Sequence, residues 1–299
     1  MEIIVLSGGL GNQMFEYAFY VSKQAAVNKE LYLSDYSIRR EATHNGLELE
    51  RLFGISLGER NRYYEFLVRV VRKLLLFKDR GMIKYVARTF LSLLRLLGVK
   101  IVQEQQSGMF DKAYLEEQSG LTLTFGFWQS EKYFYNVKDL ILRQYQVNLE
   151  ISKLTADLLV QIQKTDSVSI HIRRGDYLSD KYKHLYGNIC TIDYYKRAIA
   201  MLGKKVPEAT FFVFSDDMKW VKEHLDIPSP VYVDWNKGID SWQDMYLMSC
   251  CKHNIIANST FSWWGAWLNP NKKKVVIAPS LFLNTETTPD LIPDSWIKI

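Results

Sequence analysis

Residues 167–180 read SVSIHIRRGDYLSD: an apolar run interleaved with small polar residues, then two arginines, a glycine and an aspartate. The run has the length and β-branched content of a buried strand, so Arg173 and Arg174 stand at its carboxyl end. Successive strand residues point to opposite sides, which separates the two guanidiniums and puts His171 and Arg173 on one side. A buried arginine needs an anion, because stripping its hydration without a partner is prohibitive. Two readings compete. One is a structural pair with Asp176, the more so for Arg174; the other is a phosphate clamp, since a guanidinium meets phosphate oxygens two at a time and never loses its charge. The tripeptide RGD at 174–176 is expected by chance in roughly one chain in twenty of this length.

Working outward, TFFVFS (210–215), PVYVDW (230–235), HNIIAN (253–258) and KVVIAP (274–279) read as further strands. Helical candidates over 191–202, 217–225, 241–251 and 260–268 separate them. Short apolar strands between helices imply a parallel sheet covered on both faces. The amino terminus repeats the theme, with the strand IIVL (3–6), a glycine-rich turn and a helix over 13–26. The expected fold class is α/β: two Rossmann-like domains, 1–150 and 151–299, facing a central cleft, with ligands beyond the carboxyl ends of the strands. At 299 residues each domain has enough chain for its own core.

Three cysteines, two of them adjacent at Cys250 and Cys251, point to a reduced, cytoplasmic setting. The start MEIIVLSGGLGNQ is a strand entering a loop rather than a leader, and no stretch approaches the ~20 uncharged residues of a membrane span. NST at 258–260 matches a glycosylation acceptor by coincidence in such a setting. The net charge is +5, yet residues 60–100 hold eleven Lys or Arg against Glu65 and Asp79. Cations confined to one segment argue against a nucleic-acid partner. Helical spacing over 60–79 and 83–97 makes this segment a basic helical insertion, at about 60–98, in the amino-terminal domain. Its broad apolar faces pack on that domain and leave a solvated basic face, or the face rests peripherally on an anionic membrane surface.

Two further stretches fit an anionic ligand. SGGLGNQMFEYAF (7–19) offers Gly8, Gly9 and Gly11 for close backbone approach, then a helix start. NSTFSWWGAWLNP (258–270) opens a helix with Ser259, Thr260 and Ser262 in its first turn, which suits a phosphate or an ordinary cap. Asp216 and Asp217 follow a strand, where they could accept hydrogen bonds from a ribose or a base. No two aspartates stand two residues apart, and His44, His184, His224 and His253 show no ligand spacing, so no metal is expected.

GGLGNQMFEYAF, HIRRGDY, FSDD and DSWQDMYLMSCCKHNIIANSTFSWWGAWLNP together resemble the galactoside α-1,2-fucosyltransferases, especially the bacterial members of glycosyltransferase family 11. The similarity spans nearly the whole chain in the family's order. It implies a GT-B-like fold, GDP-L-fucose as donor, a galactoside acceptor glycan, inversion at the sugar carbon, and neither metal nor other cofactor. By resemblance to the wider fucosyltransferase group, Arg173 would hold the β-phosphate and His171 and Asp244 would face the guanine. Gly9 and Gly11 would border the diphosphate, Thr260, Phe261 and Ser262 would contact the phosphates, and Asn12 would lie near the reacting centre. Asp176 is the candidate base for the acceptor hydroxyl, with Glu16 a weaker one and a structural pair between Asp176 and Arg174 the competing reading. The amino-terminal domain is the expected acceptor side, and the tyrosine-rich segment 177–195 is expected to line it too.

Overall fold

The apolar run at the amino terminus forms β1 (Glu2–Val5), buried along its whole length. The computed structural model describes residues 1–40 and 44–299, and the chain divides into two units, Met1–Asn148 and Leu149–Ile299. In the first unit β1 leads through the glycine turn to α1 (Leu10–Ala26), β2 (Leu31–Ser34), α2 (Tyr36–Arg40) and α3 (Glu48–Phe53). Then come the basic helices α4 (Arg62–Phe77) and α5 (Ile83–Leu96), β3 (Val99–Gln103), β4 (Leu121–Phe125) and α6 (Lys138–Gln144). The sheet runs β2-β1-β4-β3, with every pairing parallel. Ile3 and Val5 of β1 and Leu123 of β4 pack against Leu67, Val68 and Val71 of α4.

The expected start of α1 at residue 13 is corrected to Leu10. Gly9 is extended (φ −83°, ψ −179°) and its carbonyl accepts from the N–H groups of Asn12 and Gln13, so the helix begins directly after it. Gly11 and Asn12 therefore lie in the first turn, not in the loop before it.

The second unit contains α7 (Lys153–Lys164), β5 (Asp166–Ile172), α8 (Lys183–Tyr186), α9 (Ile192–Lys205), β6 (Ala209–Ser215) and α10 (Met218–His224). It continues with β7 (Pro230–Val233), α11 (Trp242–Cys250), β8 (His253–Ile255), α12 (Thr260–Leu268), β9 (Val276–Ala278) and β10 (Ile297–Lys298). Its sheet order is β10-β9-β8-β5-β6-β7, all parallel. The first strand thus sits in the middle, with β6 and β7 added on one side and β8 to β10 on the other. That is the doubly wound order, and its reversal point lies between β5 and β8.

Both sheet faces are covered, which is why the strands read as apolar runs rather than alternating ones. Val168, Ile170 and Ile172 face Ala198 and Leu202 of α9 and Val221 of α10. Phe212 and Phe214 of β6 pack on the other face with Leu158 and Ile162 of α7 and Leu247 and Met248 of α11. Burying each such phenylalanine contributes roughly 1.5–3 kcal/mol. The α/β class with two parallel-sheet units is what the sequence leads one to expect. All three cysteines are unpaired.

Candidate active site

Side-chain alternation along β5 sets the site. Val168, Ile170 and Ile172 point into one core, so Ser167, Ser169 and His171 point to the other face. His171 is buried against Phe261 of α12, ring centroids 5.9 Å apart, and among the described residues its Nδ1 has no hydrogen-bond partner. Burial, with help from the nearby Arg173 charge, lowers the imidazole pKa to about 3. The ring is therefore neutral, with a buried polar atom unsatisfied.

Arg173 follows on the same side. Its Nη2 lies 2.8 Å from Asp176 Oδ1 and its Nη1 3.1 Å from Asp216 Oδ2, and its guanidinium sits 5.6 Å from the Tyr177 ring. Burial alone would ease the charge off, but the Asp216 and Asp176 carboxylates outweigh it and hold the guanidinium above its ordinary pKa. Two of its nitrogens are engaged, and a guanidinium has five N–H donors, so capacity remains for a further anion.

Arg174 turns the other way, as alternation predicts, but its partner differs from the expected one. Its Nε lies 3.2 Å from Asp217 Oδ2, and its guanidinium stacks 3.5 Å over the Trp220 ring. The expected Arg174–Asp176 pair is thus corrected to Arg173–Asp176. The reason is the backbone: Gly175 (φ −21°, ψ −96°) folds the chain into a short turn, which returns Asp176 to the Arg173 side. Asp216 closes the turn by accepting from the Arg174 N–H at 2.9 Å. A side chain at Gly175 would place its Cβ 2.7 Å from Asp216 Oδ2. Asp216, read from sequence as a ribose or base acceptor, is placed here as a partner of the arginines.

Across the reversal point, β8 runs into the start of α12. Asn254 and Asn269 fix this crossing: Asn254 Nδ2 donates to Ser169 Oγ and the Met248 carbonyl, and Asn269 Nδ2 donates to Asn254 Oδ1 and the Cys251 carbonyl. Ser259 caps α12 in an extended conformation without a side-chain cap bond, so Thr260, Phe261 and Ser262 form its first turn. Ser262 Oγ donates to the Ser259 carbonyl at 3.3 Å. The end of β5 and the amino end of α12 thus come together at the reversal point, where doubly wound sheets bind ligands and where a helix start suits an anion. Asn258 is buried with its amide donating to the Tyr186 and Phe282 carbonyls, which rules NST out as an accessible acceptor.

Asp244 lies in the first turn of α11, where Asn236 Nδ2 donates to its Oδ1 at 2.8 Å. Burial pushes its carboxyl up to about 7 despite that bond.

The tyrosines of 177–195 divide by place. Tyr177 stacks on Tyr186 at 4.6 Å and donates to the Asn258 carbonyl. Tyr194 and Tyr195 are core residues, which corrects the expectation that the whole segment lines an acceptor. The Tyr195 hydroxyl donates to the His171 carbonyl at 3.1 Å, and that of Tyr194 donates to the Ile256 carbonyl at 2.6 Å. They brace the ends of the two strands that flank the reversal point. Sequence reasoning missed this bracing; the TIDYY run at 191–195 reads as a helix start and gives no sign of what its hydroxyls meet.

In the first unit the glycine turn is held by buried polar side chains. Ser7 donates through N and Oγ to the Glu16 carboxylate at 2.8 and 2.7 Å, so Glu16 is a brace for the turn. Gln13 Nε2 donates to the Gly8 and Gly46 carbonyls, and Gln129, just after β4, donates to Asn12 Oδ1 at 3.0 Å. Gly8 has φ +71°, and a Cβ there would lie 2.6 Å from Asn12 Nδ2. Gly9 takes an ordinary φ, but its Cβ position is 3.1 Å from His44 Nδ1. This turn also lies at a reversal point, between β1 and β4 of its own sheet.

Among known proteins, the Escherichia coli α-1,2-colitosyltransferase is 34% identical over 100% of this chain and 99% of its own. The E. coli O-antigen biosynthesis glycosyltransferase WbnK is 33% identical over 98% of this chain and 99% of its own. The Homo sapiens galactoside α-(1,2)-fucosyltransferase 1 is 26% identical over 48% of this chain and 42% of its own. The model of glycosyl transferase family 11 matches residues 1–298, and the chain belongs to that family.

Proposed function

We propose that this glycosyltransferase moves L-fucose from GDP-β-L-fucose to the 2-hydroxyl of a terminal galactoside, with inversion and without a metal ion, in the synthesis of surface polysaccharide or another glycan. The observation that carries the reading is Arg173 at the reversal point of the second unit, beside neutral His171 and the start of α12. Breaking the bond between the sugar carbon and the β-phosphate oxygen leaves its electron pair on GDP. A fixed guanidinium stabilises that charge, as a metal would elsewhere. Thr260, Phe261 and Ser262 add helix-start N–H groups and hydroxyls, and His171 and Asp244 take the guanine. In the first unit we assign Gly9 and Gly11 to the diphosphate and Asn12 to the reacting sugar.

Asp176 is the base in this reading. Its carboxylate is held by Arg173 at 2.8 Å. A diphosphate that takes over the guanidinium releases it, and it then accepts the proton of the galactoside hydroxyl as that oxygen bonds to the sugar carbon from the opposite face. Replacing Asp176 by Asn should remove the acidic limb of the kcat/KM profile; a limb that survives would rule out Asp176 as the base.

The similarity to an α-1,2-colitosyltransferase favours a second donor reading. Colitose is fucose without its 3-hydroxyl, and the same phosphate and guanine contacts serve both. Incubation with GDP-fucose and GDP-colitose in parallel, against a panel of galactosides with a chelator present, tests both. Fucose in α-1,2 linkage is the expected product; colitose transfer alone, or activity only with added metal, would overturn the corresponding part.

A further inference from the structure

The segment from Arg60 to Lys100 holds eleven cationic side chains against Glu65 and Asp79, in a chain whose total is only +5. In the fold all but Lys100, which lies on β3, fall on α4, α5 and the turns around them, with Arg60 paired to Asp35, and they accompany an apolar face that the protein leaves uncovered. Leu67, Val68 and Val71 anchor α4 under the sheet, whereas α5 buries only Ala87 and Leu91. At 3.6 residues per turn, Ile83, Val86, Phe90, Leu93 and Leu97 fall on one side of α5. All five are exposed, and Met82 and Leu96 at its two ends are each 85% exposed. Lys84, Arg88 and Arg95 lie across the helix from this stripe, beyond the buried Ala87 and Leu91. The outward side of α4 repeats the mixture with Phe66, Arg69, Lys73 and Leu76.

An amphipathic helix in a water-soluble fold ordinarily turns such a stripe inward, and an uncovered stripe of this size marks a surface that meets something apolar. We propose that this face binds the surface of an anionic lipid bilayer, with the α5 stripe at the boundary of headgroups and acyl chains and the cations against lipid phosphates. Charge complementarity selects that occupant. A second copy would bring the same cationic segment against the first, and like charges would oppose the pairing. No helix among the described residues is long and apolar enough to cross a membrane, so the contact is with the surface. Arg88 is partly neutralised by Asp79 at 2.8 Å, and Lys84 and Arg95 lie across α5 from its stripe, so Arg69 and Lys73, interleaved with Phe66 and Leu76 on α4, are the cations to test.

The experiment is co-sedimentation of the full chain with vesicles of phosphatidylcholine alone or mixed with phosphatidylglycerol. Binding is expected to the anionic vesicles at low salt and to weaken as salt screens the charges. Each cation near such a surface is worth about a fivefold gain in partitioning, so Arg69→Gln with Lys73→Gln should weaken binding by about 25-fold. Phe90→Ser with Leu93→Ser should abolish it, while thermal melts and transfer to a soluble acceptor stay as in the parent chain. The polar pair of substitutions keeps the test valid should the apolar pair disturb folding. Absence of binding to anionic vesicles at low salt would overturn the proposal, as would binding that ignores both sets of substitutions. So would a concentration-dependent dimer in sedimentation velocity that Phe90→Ser abolishes, without vesicle binding.

Discussion

Arg173 carries the donor reading, so its replacement separates charge from shape. Arg173→Ala should lower kcat by on the order of 10³, as for cations aimed at developing phosphate charge, and Arg173→Lys should not restore it. A single ammonium cannot span Asp176, Asp216 and a phosphate in the way a planar fork can. The side chain is 34% exposed and its pairs are screened, so thermal melts should fall by only a few degrees. Retention of most of the turnover would remove the clamp. Asp244 offers a second test with opposite signs for stability and binding. Its folded pKa of about 7 lies above the usual ~3.9, so between those values the folded state holds a proton that the unfolded chain has released. Stability conferred by this group therefore falls as pH rises from about 4 to about 7 and is level above that. Asp244→Asn should remove the slope and leave the protein more stable at pH 8 than the parent, by on the order of a few kcal/mol, with no gain near pH 4. Urea melts at the two pH values measure this. The same substitution should weaken GDP binding, because the carboxylate that would accept from guanine N–H groups is gone. Equal melts at every pH would show a carboxyl that titrates normally. His171 and Arg173 were legible in the sequence because strand alternation alone puts them together. Asp176 was legible as a partner for either arginine, but not that it would meet Arg173 rather than Arg174, since that depends on the conformation of one glycine.

At the scale of elements, the turn after β5 is the most exposed to a small change. Gly175→Ala adds a methyl 2.7 Å from Asp216 Oδ2, so the carboxylate must leave either Arg173 or the Arg174 N–H. We expect a loss of about 1–3 kcal/mol of stability in denaturant melts together with a raised KM for the donor. A variant with unchanged KM would mean that Asp216 does not tune the arginine. The strands β5 to β9 were readable because each is a short apolar run between helices, the signature of a sheet covered on both faces. The strands β3 and β4 were not: VKIVQ and LTLTF mix polar with apolar residues, and β3 lies at a sheet edge with Lys100 and Gln103 exposed. Helix α4 was legible and behaves as a packed helix, whereas the uncovered stripe of α5 could be told from a packed one only by its surroundings. The braces from Tyr194, Tyr195, Gln13 and Gln129 join residues distant in sequence and leave no local signal.

At the scale of the molecule, each sheet places its reversal point beside its glycine- or arginine-bearing strand end, between β1 and β4 in the first unit and between β5 and β8 in the second. This makes the response to GDP predictable across the whole second unit. Hydrogen exchange with and without GDP should show protection at residues 171–178, 256–262 and 236–246, which take in the end of β5, the segment just after β8, the start of α12 and the first turn of α11. The opposite ends of β5, β6 and β8, at Asp166, Ala209 and His253, should exchange as before, because a ligand at one edge of a parallel sheet leaves the far edge solvated. Ligand at a hundred times its dissociation constant adds about 2.7 kcal/mol to global stability, so exchange through full unfolding would slow everywhere in the unit by a common factor. The local pattern must therefore be read from amides that open without global unfolding, which are those of the turns and helix starts. Protection centred instead on the basic hollow at Lys205, Lys252 and Lys273, at the other end of the sheet, would place the nucleotide away from Arg173 and overturn the donor reading for the whole unit.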